Sequence, residues 1–331
     1  MRAIVHEGKD GLEGLQVKMM EEKTPDAREV KVRIHTAGMN RRDLAVVTKR
    51  HKGKDPAVIP GSDASGIVEE TGKDVTRFKK GDEVIVNPGL GWQENSDVPP
   101  EGFEIVGFPD HGTFAETYIC TEEHLELKPK HLTMEEAGVL SLAALTAYRA
   151  LFTRGNLKSG ETVMLPGIGG GVLTYALKFA KAEGARVIVT SRSREKLKQA
   201  LDAGADKAFL TESDWSGELT GESVDLLIES IGAATFNQSL RAVRKGGTIV
   251  TFGSSTEDEV TLNIREFFYG QYNLLGSTMG SAEELRSMIA FIEHHSIHPE
   301  IDRIFPLDQA EKAFTYIRDT KNFGKIGFQM S

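Results

Sequence analysis

The stretch Thr162–Lys196 limits what this chain can fold into more than any other. It runs from a short apolar segment (Thr162–Leu165) through Gly167-Ile168-Gly169-Gly170-Gly171 and a helical pattern to a second, β-branched segment (Arg186–Thr190). Short runs of this kind suit strands buried on both faces, as in parallel sheets. Glycine lets the backbone bend sharply and lets a ligand come close. Leu173, Ala176, Leu177 and Ala180 give the intervening helix a small apolar face that can lie on a sheet. Strand, glycine turn and helix N-terminus together collect free N–H groups and a positive dipole end, which suits a pyrophosphate. The literal G-x-G-x-x-G is incomplete, because Val172 takes the third glycine's place. An ordinary strand–helix loop is the alternative. The complete βαβ context favours a dinucleotide site built from Gly167, Gly169, Gly170, Gly171 and Val172.

The rest of the chain supplies a frame for that unit. Up to about Glu123 the pattern is β-rich: Arg2–His6, Glu29–Ala37, Ser65–Glu70, Glu83–Asn87 and Phe114–Cys120 read as strands, with one short helix at Asp43–Arg50. Pro88–Asp110 is long and turn-rich, either a functional lobe or a flexible excursion. Thr133 with Glu136 forms a capping box that opens a helix over Met134–Thr153. Beyond it strands and helices alternate as far as Gln271–Leu275, the signature of a parallel sheet. Helices at Ala282–His294 and Asp308–Asp319 and a strand at Lys325–Met330 close the chain.

Composition excludes several classes. A net charge of -9 over 331 residues, without a basic stripe, argues against a nucleic-acid partner. No apolar run approaches the ~20 residues that span a bilayer, and the N-terminus lacks the apolar core of a signal peptide. Cys120 is the single cysteine, so neither an intrachain disulfide nor a thiolate zinc cluster can form. A cytoplasmic protein acting on a small molecule is the expectation.

Several segments then carry a resemblance: AGMNRRD (37–43), PGSDASGIVEETG (60–72), FKKGDEV (78–84), LTAYRAL (145–151), the glycine loop, GARVIVTSRS, GAD (204–206) and FGKIGF near the end. In this order the chain resembles the medium-chain dehydrogenase/reductase superfamily, in its zinc-independent quinone oxidoreductase-like branch. The resemblance implies an α/β protein. A Rossmann doubly wound parallel sheet (134–278) would be inserted in a GroES-like β-barrel catalytic domain (1–133 and 279–331), with the active site in the cleft. It implies that Thr146, Gly253, Ser277 and Met279 face the nicotinamide, and that Lys325 or Asn322 reaches back to it from the tail. It also implies a homodimer formed through the Gln271–Leu275 edge. Leu173, where relatives carry glycine, would displace the helix slightly.

Zinc-dependent members of the superfamily place a thiolate and an imidazole where this chain has Asn40 and Ser62, with Asp63 at the place of a glutamate. Amide and hydroxyl are not usual zinc ligands, and 88–110 has no cysteine, so no metal is expected. His294 and His298 form an i,i+4 pair at a helix end, where cations simply complement the dipole. Without a Lewis acid, hydride transfer to a quinone or to the β-carbon of an α,β-unsaturated carbonyl compound is the accessible chemistry. Asn40 would hydrogen-bond the acceptor oxygen. His51, eleven residues on, stands where some zinc-free relatives place a tyrosine at the site, so the resemblance implies a proton donor there, although its neighbours look like an exposed basic loop. Ser191 and Arg192, with Lys196 a turn later and no acid before Glu195, point to the 2′-phosphate of NADPH. The expectation is an NADPH-dependent, zinc-free oxidoreductase. The alternatives are a non-catalytic NADPH-binding redox sensor and a zinc-dependent alcohol dehydrogenase.

Overall fold

A computed structural model describes residues 1–330; Ser331 lies outside the described residues. The chain divides into two units, Met1–Leu145 with the segment from Gly280 onward, and Thr146–Met279. The division falls later than the expected 133/134 boundary. The segment after Thr133 belongs with the first unit because it is bonded to it. Ser65 Oγ donates to Met134 O, Leu142 N donates to Asp63 Oδ1, and a Cβ on Gly138 would stand 2.6 Å from Thr36 O. For the same reason the expected long helix is broken into Met134–Gly138 and Ser141–Tyr148, followed by a π-turn segment at Arg149–Arg154.

The second unit holds six parallel strands. Across the sheet they run Lys207–Leu210, Arg186–Ser191, Thr162–Leu165, Val224–Glu229, Val243–Thr251 and Asn273–Gly276. Numbered along the chain this is 3-2-1-4-5-6, the doubly wound order that binds dinucleotides where the order reverses. Reversal falls beside Thr162–Leu165, the strand that runs into the glycine turn. Met164, Ile188, Leu227 and Ile249 are fully buried along the sheet, with Phe209 and Trp215 packed at 6.1 Å. The helix Ile264–Gly270 was not legible in the sequence.

In the first unit the 11-residue strand Glu29–Met39 is the spine. It pairs antiparallel with Ser65–Thr71, with Thr117–Thr121 and with the tail strand Lys325–Gln329. Phe328 from the tail meets Phe114 edge-on at 5.0 Å, so residues more than 200 positions apart share one core. Five strands of this unit differ from the sequence expectation: Leu15–Met19, Gly89–Leu90, Glu104–Ile105, Leu125–Leu127 and Ile301–Pro306. Leu15–Met19 and Ile301–Pro306 are mostly half-buried or exposed, and the others are only two or three residues long, so pairing defines them. The 88–110 segment is an ordered lobe: Trp92 is buried against Phe103, and Arg42 donates to the carbonyls of Ile105 and Val106. Among the described residues no helix is long and apolar enough to cross a membrane.

Candidate functional site

Strand register assembles a polar cluster within the first unit. Ile326 lies opposite Met39, and Ser65 lies opposite Thr36. The residues just beyond these pairs, Lys325, Asn40 and Asp63, therefore meet at one end of three strands. All three are buried. The Lys325 ammonium donates to Asn40 Oδ1 at 2.6 Å, Met39 O at 3.0 Å and Asp63 Oδ2 at 3.1 Å. Asn40 Nδ2 donates to Asp63 Oδ2 at 3.0 Å, and Leu142 N donates to Asp63 Oδ1 at 2.7 Å. Lys325 was expected at the cofactor. Its three donors are instead committed here, because an ammonium this deeply buried needs a carboxylate and further acceptors.

Asp43 sits beneath this cluster. Its Oδ2 accepts from Asn40 N at 2.7 Å and its Oδ1 from Ser62 Oγ at 3.3 Å, so it braces the turn that carries Asn40. Burial raises its carboxyl to about 6, while the neighbouring Arg42 and the Asn40 N–H pull the other way. A carboxyl raised above its unfolded value stabilises the fold in its protonated form. That contribution is complete below about pH 4 and is lost as the pH rises through 6. The stability difference between wild type and Asp43→Asn should therefore shift by about 3 kcal/mol, against wild type, between pH 4 and pH 7. A difference independent of pH, measured by urea unfolding, would return Asp43 to an ordinary carboxylate.

The fold family includes zinc enzymes, so the metal question turns on the donor set. An amide, a hydroxyl and a carboxylate already paired with an ammonium do not fit a zinc ion. His298 bonds Glu136 Oε1 at 2.7 Å, an ion-pair geometry, and it is not paired with His294 as a metal site would require.

His51 is placed differently from either expectation. Lys49, Arg50, Lys52 and Lys54 are exposed, but His51 turns inward and is buried. Its Nε2 faces Pro56 O at 2.8 Å and its Nδ1 faces His6 Nδ1 at 2.6 Å. Both ring nitrogens are committed, and neither is presented to a substrate. His51→Phe is accordingly expected to cost about 1–3 kcal/mol of stability by orphaning the buried His6 nitrogen. The pH profile of turnover should not change. Loss of one limb of that profile would reinstate His51 as the proton donor.

The second unit carries its own candidate feature, the glycine loop. Gly167 (φ +78°) and Gly169 (φ +137°) occupy left-handed backbone that side chains resist. Gly170 precedes the first residue of the helix Gly171–Ala182, and no atom lies within 4 Å of where its Cβ would be. Glycine there leaves open room beside the unsatisfied N–H groups of Gly171 and Val172. Leu173 is buried within a regular helix.

Thr190, near the end of the second strand, ties the loop to that strand. Its Oγ1 accepts from Gly167 N at 3.2 Å, and its O accepts from Ile168 N at 2.8 Å. Ser191 is buried and Arg192 exposed beyond it. Lys196 leans back so that its Nζ would stand 3.1 Å from a Cβ on Gly169.

Ser277 adds a signal that no motif carries: its hydroxyl is buried without a partner. Gly253 has no atom near its would-be Cβ, Thr146 is nearly buried, and Met279 takes an unusual positive φ of 30°. An orphaned hydroxyl and open glycine cradles fit a nucleotide cofactor.

Comparison with known proteins shows the family and the fold. Residues 26–130 match the family described as alcohol dehydrogenase GroES-like domain, and residues 171–294 match the one described as zinc-binding dehydrogenase. The chain is 33% identical to a zinc-type alcohol dehydrogenase-like protein of Schizosaccharomyces pombe, over 98% of each. It is 30% identical to crotonyl-CoA reductase of Streptomyces collinus, over 86% of this chain and 70% of that one. A crystal structure described as an NAD-dependent alcohol dehydrogenase superposes with a TM-score of 0.93 at 33% identity, covering all of both chains.

Proposed function

Because the chain belongs to the medium-chain dehydrogenase/reductase superfamily as an NAD(P)-dependent oxidoreductase, we propose that it uses NADPH, without zinc, to reduce the carbon–carbon double bond of α,β-unsaturated carbonyl compounds. The observation that carries this is the Asn40 amide. Lysine and aspartate key it in one orientation at the position where metal-dependent members bind their ion. Bound NADPH supplies the hydride. Addition at the β-carbon sends negative charge to the carbonyl oxygen, the Nδ2 hydrogen of Asn40 not given to Asp63 can meet that charge, and the enolate then takes its α-carbon proton from solvent water. One such donor is worth roughly 10²–10³ in kcat. An alcohol substrate would need its own proton removed, and this site offers no metal ligand set to help.

Enoyl thioesters are the first substrates to try. The crotonyl-CoA reductase relative supports them, and the exposed Arg41, Lys49, Arg50, Lys52 and Lys54 suit an anionic acceptor. The decisive assay follows NADPH oxidation against enoyl thioesters, enals and quinones, with metal content measured on the same preparation. Turnover on the unsaturated carbonyls by metal-free protein is expected. Tight NADPH binding without turnover on any of them would favour a redox sensor, and activity that tracks bound zinc would favour an alcohol dehydrogenase.

The protein is further proposed to be a homodimer. Asn273–Gly276 is an edge strand with Leu274 exposed, and Phe268 and Tyr269 are exposed on the helix just before it. A short exposed edge with apolar side chains beside it can pair with a second copy. A monomer in sedimentation at micromolar concentration would overturn this.

A further inference from the structure

We infer that Lys325 is the positioning residue of this site, fixing which end of the Asn40 amide is offered to the acceptor and strengthening it as a donor. The inference rests on the reading of Asn40 given above. An ammonium has no acceptor, so it must face the amide oxygen. A carboxylate has no donor, so it must face the amide nitrogen. Lys325 at 2.6 Å from Oδ1 and Asp63 at 3.0 Å from Nδ2 impose the same orientation from two sides. A flipped amide would set NH₂ against the ammonium and oxygen against the carboxylate. Asp63 cannot drift, because Leu142 N holds its other oxygen at the start of the helix Ser141–Tyr148. The cation on Oδ1 draws electron density from the amide, which makes the remaining Nδ2 hydrogen a stronger donor.

The same ammonium and its carboxylate partner leave that locus no metal site. The lysine thus supplies positive charge at second hand, through an amide, in a site built without a Lewis acid.

A merely structural ion pair makes a different prediction, since neutral side chains often replace buried pairs without loss. The double variant Lys325→Met/Asp63→Asn removes both charges and leaves neither orphaned. With an enoyl thioester as substrate, kcat is expected to fall about 100-fold, the lower end of the range for one oxyanion donor. KM and the NADPH dissociation constant should stay within about twofold. Adding Asn40→Ala to the double variant should cost little more, because Lys325 acts only through Asn40.

Full additivity of the two losses would overturn the proposal. So would an unchanged kcat in a double variant that folds. A large rise in the NADPH dissociation constant with kcat intact would return Lys325 to the cofactor. If Asn40→Ala alone leaves kcat unchanged, the reading of Asn40 fails first, and that outcome is distinct. Should the double variant misfold, Lys325→Gln/Asp63→Asn keeps the shape and the polar contacts and is read in the same way.

Discussion

Asp63→Leu is expected to cost about 3–5 kcal/mol of folding stability, the largest single effect in the molecule. The substitution removes the one carboxylate that pairs with Lys325 among the described residues and leaves an ammonium with 3% side-chain exposure without it. It also strips Leu142 N of its acceptor and frees the Asn40 amide. The two tryptophans make the measurement clean, since Trp92 lies in the first unit and Trp215 in the second. In a Trp215→Phe background, urea unfolding followed by Trp92 fluorescence reports the unit that holds Asp63. Removing both charges should recover more than half of the loss. A single Asp63→Leu variant as stable as its parent would show that the pair is solvated and not a buried bridge.

Arg192→Glu is the second large effect, and it falls on cofactor choice. An arginine meeting a phosphate is a charge-assisted contact worth about 1.5–3 kcal/mol, and the glutamate adds repulsion. The NADPH dissociation constant should rise about 100-fold, with NADH changed less than threefold. The NADPH effect should shrink at high salt, because Arg192 is exposed. Fluorescence titration with both nucleotides decides the matter, and equal losses would contradict the 2′-phosphate assignment. The experiment matters because a neighbouring structure at 33% identity is described as NAD-dependent. Lys196 gives the assignment a second cation, bent toward the glycine loop, so one substitution need not abolish binding.

The sequence by itself determined whatever depends on neighbours within a few dozen residues. Strand, glycine turn and helix over Thr162–Lys196 are set by periodicity and by the conformational freedom of Gly167 and Gly169. The alternation after Thr162 specified the parallel sheet that the structure shows, and the Ser191-Arg192 end of its second strand carries the proposal of a 2′-phosphate partner. Asn40 could be singled out in the same way, from the residue type at one motif position.

Tertiary structure alone decided what those residues touch. Lys325 is 285 positions from Asn40 and reaches it only because Lys325–Gln329 pairs in register with Glu29–Met39. His51 stands in a run of cations that reads as solvated, yet it turns inward because His6 and Pro56 satisfy both its nitrogens. The orphaned hydroxyl of Ser277 has no signature in composition or spacing. Local pattern fixes which elements form, since their hydrogen bonds and buried faces are nearby in the chain. The partner of a buried charge is chosen by strand pairing, and a short motif does not encode register over hundreds of residues.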